Sequence, residues 1–83
     1  MDFEIISEIV QVETFARGVG VRIRQFLNAK YAGGRKVYWR HCKGFAEVEY
    51  VNGEIWFVEV HWFEAHGIGR VAPTDKRRIR RIA

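Results

Sequence analysis

The sequence predicts an α+β domain in which one or two N-terminal helices pack on a three- to four-stranded antiparallel sheet. Residues 45–63 alternate around an Asn52-Gly53 turn signal, and residues 19–31 carry helical apolar spacing that stops at Gly33-Gly34. The 83 residues are 48% apolar and include three Trp, three Tyr and six Phe. That stock of large side chains lets a chain of this length bury a core without disulfide or metal staples. We therefore expect a single domain over residues 1–83, with a basic tail at about 74–83.

The first 16 residues read as a helix on Ile5, Ile6, Ile9, Val12, Phe15 and Ala16, although Ile6, Glu8, Val10 and Val12 also permit a strand. Val19, Ile23, Phe26, Leu27 and Tyr31 then recur at i, i+4, i+7 and i+8, which predicts a helix over about 19–31. Lys36 to His41 reads as a strand that enters the hairpin through Cys42-Lys43-Gly44.

The hairpin's register follows from its patterning. A two-residue loop would mix Glu47 and Glu49 with Trp56 and Val58 on one face. A three-residue loop, Val51-Asn52-Gly53 with a left-handed glycine, pairs Tyr50 with Glu54, Val48 with Trp56 and Ala46 with Val58. Ala46, Val48, Tyr50, Trp56, Val58, Val60 and Trp62 then share one face, as a core-facing surface requires. The other face holds Glu47, Glu49, Ile55, Phe57, Glu59, His61 and Phe63, too aromatic for a purely solvated surface and too charged for a core. The tail after Pro73, with Ile79 and Ile82 three apart, suits a frayed helix or an irregular edge segment.

Charge is distributed in blocks that a net value of +4 conceals. Residues 1–16 hold four acids and no base, 17–43 eight bases and no acid, 44–64 five acids and no base, and 65–83 six bases against Asp75. An acid-free basic block makes a local positive potential that attracts phosphate. The competing reading is that opposite blocks neutralise one another in the fold. Cys42 is alone, which excludes an intramolecular disulfide and fits a cytoplasmic setting, and no apolar run approaches the ~20 residues that span a bilayer. No membrane partner is expected.

Chemistry concentrates in His61-Trp62-Phe63-Glu64-Ala65-His66-Gly67-Ile68-Gly69-Arg70. Its H-x-x-E-x-H spacing matches no zinc signature, and in a helix residues 61 and 66 would point about 140° apart, so no metal is expected. Acid–base work is less demanding. His61 or His66 as base, Glu59 or Glu64 as orienting carboxylate, and Arg40, Lys43 or Arg70 opposite a phosphorane-like transition state would suit metal-independent RNA cleavage. The catalytic candidates are accordingly His61, Glu64 and His66. Gly67 to Ala72 fits G-x-G-x-x-A only formally, because Pro73 blocks the helix a dinucleotide site needs, and no cofactor is expected.

Phosphate and base contacts have more candidates. Arg17-Gly18-Val19-Gly20 precedes the predicted helix, where free N–H groups favour an anion. Arg22, Arg24, Arg35 and Lys36 continue the basic block. Tyr38 and Trp39 stand between Lys36 and Arg40, an interleaving of rings and cations suited to single-stranded nucleic acid. Lys43, Arg70 and the tail residues Arg77, Arg78, Arg80 and Arg81 complete the set.

Ala16 to Tyr31, Lys43-Gly44 and above all Glu59 to Arg70 resemble a family of small uncharacterised proteins associated with cyanobacteria. That likeness covers nearly the whole chain and implies no particular activity. The order of helices followed by a basic antiparallel sheet is similar to the RelE and colicin-type ribonuclease toxins, which implies RNA as substrate.

The expected function is nucleic-acid binding, with RNA favoured over DNA. A toxin-like, metal-independent endoribonuclease is the alternative. A third reading is a protein-interaction module that docks a partner or a second copy through Glu47, Glu49, Phe57 and Phe63.

Overall fold

The hairpin turn has the three-residue form. In the computed structural model, which describes residues 2–83, the Tyr50 N–H donates to the Glu54 carbonyl at 2.9 Å, and Gly53 takes φ 87° and donates to the Tyr50 carbonyl. Ala46 faces Val58 and Val48 faces Trp56. The apolar face is buried as patterning requires, with Val48, Val58 and Val60 at 0% exposure.

The strands are β1 (Phe3–Ile5), β2 (Val10–Arg17), β3 (Arg40–Tyr50), β4 (Ile55–Ala65) and β5 (Gly69–Arg81), and the single α-helix is α1 (Arg24–Tyr31). All pair antiparallel in the order β1-β3-β4-β5, while β2 pairs with β3 beyond the end of β1. The fold is thus mostly β, a curled five-stranded sheet with one helix, and the expected α+β arrangement of N-terminal helices on a sheet is overturned.

Residues 3–17 decide that correction. Their apolar positions fit both periods, so periodicity alone could not separate helix from strand. The outer edge of β3 leaves N–H and C=O groups without partners, and β1 and β2 supply them. Left-handed Gln11 (φ 54°) and two register shifts kink this edge.

The helix is shorter than predicted. Gly18 (φ 49°) to Gly20 form a 3-10 turn instead, and no side chain caps the N-terminus of α1. Arg24 donates to the Val19 and Val21 carbonyls at 3.1 and 3.4 Å, which turns its charge inward onto that loop. Gly33 and Gly34, both left-handed, end the helix where expected, with the Gly34 N–H on the Asn28 carbonyl.

The strand expected from Lys36 starts only at Arg40 and then runs unbroken through Cys42-Lys43-Gly44. The expected irregular tail is β5, an edge strand that reaches Arg81. Its register shifts around Ala72 (φ 52°) and Pro73 accommodate a residue without an N–H.

Two apolar clusters hold these elements. On one face of the sheet Phe3, Cys42, Ala46, Val48, Tyr50, Val58, Val60 and Trp62 pack together, joined by Ile5, Ile9 and Trp56. No helix covers this face, so the sheet curls over it and the connector between β1 and β2 crosses Gly44. A Cβ at Gly44 would lie 2.5 Å from Ile9 Cγ2 and 3.0 Å from the Val10 carbonyl oxygen. The second cluster is Val21, Leu27, Trp39 and Ala65, with Ala16, Phe63 and Val71 beside it. It fixes α1 over one end of the opposite face and leaves the rest of that face open.

Candidate nucleic-acid interface

The open face carries His41, Lys43, Phe45, Glu47 and Glu49 from β3 against Phe63, His61, Glu59, Phe57 and Ile55 from β4. Strand alternation puts these residues on one side. A row of rings crosses the sheet at the helix end: Phe15 lies 4.2 Å from His41 between ring centroids, and His41 stacks on Phe63 at 4.1 Å and 19°. His61 stands in the next row, 5.8 Å from His41 and 5.3 Å from Phe15. At the other end Phe45 stacks on Phe57, with Arg80 above the Phe57 ring.

The two imidazoles have different environments. Burial, and then the neighbouring charges of His61 and Lys76, hold His41 below the usual histidine range. His61 Nε2 lies 2.7 Å from Glu59 Oε2, and Arg77 donates to the other Glu59 oxygen at 3.3 Å. The bond to His61 is the main reason the Glu59 carboxyl lies below its ordinary range.

These shifts predict stepwise acid destabilisation. His41 keeps a neutral ring in the fold, so its contribution is complete above the ordinary value of 6.5 and is lost as pH falls below it. Glu59 and Glu64 contribute above 4.5 and lose that contribution as pH falls through their lowered values. Thermal unfolding of His41→Phe should lack the first step and keep the second. An unchanged loss between pH 7.5 and 5.5 would contradict this assignment.

The structure separates the three catalytic candidates. His61 is on the open face, whereas Glu64 projects on the Trp62 side and accepts from Trp62 Nε1 at 2.7 Å and from Arg40 at 3.1 Å. His66 is exposed in the turn between β4 and β5. In a strand, residues 61 and 64 point to opposite faces, so the proximity of the three in sequence does not become proximity in space. The neighbours of His61 are instead Glu59, His41 and Phe15. His41 was reachable from the bulged register, because pairing Lys43 with His61 places His41 opposite Phe63. Phe15 was hidden while its segment read as helix. Among the described residues no group of three or more His, Cys, Asp or Glu side chains could hold a metal ion.

The nucleic-acid candidates divide by occupation. Trp39 is fully buried and donates to Asn28 Oδ1 at 2.8 Å, so it serves as core and offers no stacking face. Tyr38 is exposed and lies against Gly18. Arg40 is paired with Glu64, Arg77 with Glu59, and Lys43 lies 3.9 Å from Glu13. Opposite blocks therefore neutralise in part along β2 to β5. Arg70 lies over Trp62, and Arg78 over Tyr50 and Trp56. Arg35 and Arg81 bond backbone carbonyls, while Arg24 is spent on its own loop. Arg17, Arg22 and Lys36 are exposed and make no ion pair among the described residues.

The proposed docking set of Glu47, Glu49, Phe57 and Phe63 is divided between the two ends of the face: Phe57 stacks with Phe45, and Phe63 with His41 beneath the helix end. Between the ring row and the loop that leads into α1 lies a cleft of about 280 Å³, lined by Phe15, Ala16, Gly20, Val21, Arg22, Ile23, His41 and Phe63. No described helix is long and apolar enough to cross a membrane. Compared with protein-family models, curated proteins and solved structures, the chain matches none.

Proposed function

We propose that the protein is a small domain that binds single-stranded nucleic acid, with RNA favoured over DNA. The observation that carries this reading is a row of rings, Phe15, His41 and Phe63, beside a cleft that Arg22 also lines, in a chain whose acid-free segment 17–43 holds the further unpaired cations Arg17 and Lys36. His41 is flanked by Phe63 and Phe15, so a base would meet this row at its ring edges and at the exposed Phe15, while neighbouring cations hold the backbone phosphates. The His41 ring makes no hydrogen bond among the described residues, which leaves its nitrogens free for a bound strand.

Anisotropy of a fluorescent single-stranded RNA at several salt concentrations tests the reading. Affinity should fall steeply as salt rises, and Arg17→Ala with Arg22→Ala should flatten the slope by about 0.7 for each phosphate no longer neutralised. A folded protein that binds neither RNA nor DNA at low salt would refute it.

One observation favours a second reading in the same tube. His41 and His61 stand 5.8 Å apart on the open face, with Glu59 on His61, as an acid–base pair for RNA cleavage would require. Fragments ending in a 2′,3′-cyclic phosphate, lost in His61→Asn while binding persists, would establish cleavage. Intact RNA leaves the protein a binder.

A further inference from the structure

We infer that the cleft beside α1 is a pocket for one unpaired nucleobase, whose strand lays its phosphate on Arg22. This rests on the nucleic-acid reading above and adds to it a specific place where a base is held.

The cleft suits a planar ring system in size and chemistry. At about 280 Å³ it falls below the volumes that take drug-sized ligands, which matches a single base. Phe15, His41 and Phe63 form one wall, and Val21 and Ile23 on the loop before α1 face them. Two groups among the lining residues are polar in their side chains, and they differ in kind. His41, held neutral by its surroundings, offers one donor and one acceptor, the complement of a base edge. Arg22 is exposed at the rim and meets no carboxylate, as a phosphate contact requires. A purely aliphatic occupant would leave both groups unanswered, and a bare phosphate would leave the apolar walls wet.

Two other hollows on the surface lack this combination. The groove lined by Ile5, Ser7, Ile9, Trp62, Arg70 and Pro73 has its arginine over Trp62, and its serine oxygen accepts from the Glu47 N–H. The hollow around Phe3 and Tyr50 is flanked by Glu4 and Glu49, which repel phosphate.

The test compares a single-stranded RNA octamer with an abasic octamer of the same backbone charge, by anisotropy at one salt concentration. The intact strand should bind about tenfold or more tightly, and Phe15→Ala or Ile23→Ala should bring the two strands together without changing the salt slope. Both positions are exposed, Phe15 at 46% and Ile23 at 44%, so neither substitution removes a core side chain. In parallel, adenosine monophosphate added to isotope-labelled protein should shift the NMR signals of Phe15, Val21, His41 and Phe63.

Equal affinity of the two strands with salt dependence retained overturns the pocket and leaves phosphate binding standing. Shifts confined to other residues overturn it as well. No binding by either strand and no shifts with the mononucleotide overturn both readings together.

Discussion

Trp39→Ala should cost about 3–5 kcal/mol, the range for truncating a large buried ring, out of the roughly 5–15 kcal/mol that holds a small domain folded. Trp39 is at 0% exposure in the cluster that joins α1 to the sheet. Its indole N–H also shares the Asn28 side-chain oxygen with the Val37 N–H. That oxygen thereby fixes the approach to β3 as well as the ring, so truncation removes packing and a connection at once. Trp39→Phe keeps most of the packing and loses one hydrogen bond, worth about 1 kcal/mol. Urea unfolding of the two variants should reproduce this ratio. A Trp39→Ala protein within about 1 kcal/mol of the parent would mean that α1 does not depend on this ring.

The second large effect belongs to Gly44. Alanine in place of glycine within a strand ordinarily stabilises, by reducing the freedom of the unfolded chain. At this position the new methyl would meet Ile9 Cγ2 at 2.5 Å, the Val10 carbonyl oxygen at 3.0 Å and the Trp62 ring at 3.3 Å. Ile9 is β-branched and stiff, and the carbonyl moves only with its backbone, so overpacking wins and Gly44→Ala loses about 1–3 kcal/mol. Pairing it with Ile9→Ala should return part of that loss, which a double-mutant cycle measures as coupling. Strict additivity would show that the connector between β1 and β2 does not sit on β3.

How much of this architecture was legible depended on where the information lay. The β3–β4 hairpin was readable because its turn chemistry and its alternation agree locally, and one register alone puts Val48, Val58 and Val60 on the same side. Residues 3–17 were not readable, because Ile5, Ile9 and Val12 fit a helix while Ile6, Val10 and Val12 fit a strand, and the deciding fact, an unpaired edge on β3, is tertiary. The site divides in the same way. His61 announced itself, and His41 follows from the register. Glu64, a sequence neighbour of His61, belongs to the opposite face by strand parity, and Phe15 becomes a neighbour only once β2 exists.

The pairing of Phe3 with Tyr50 and of Val10 with Phe45 also bears on how the protein is made. Residues 3–17 leave the ribosome before the strand that will pair with them, while β3, β4 and β5 follow one another and can zip as a meander as soon as they emerge. In that interval the nascent segment exposes Ile5, Ile6, Ile9, Val10 and Val12 with nothing to cover them. Asp2, Glu4 and Glu8 make no ion pair among the described residues of the finished sheet. Charges placed in and beside an apolar strand disfavour its meeting another copy of itself before β3 arrives, and these three acids occupy such positions.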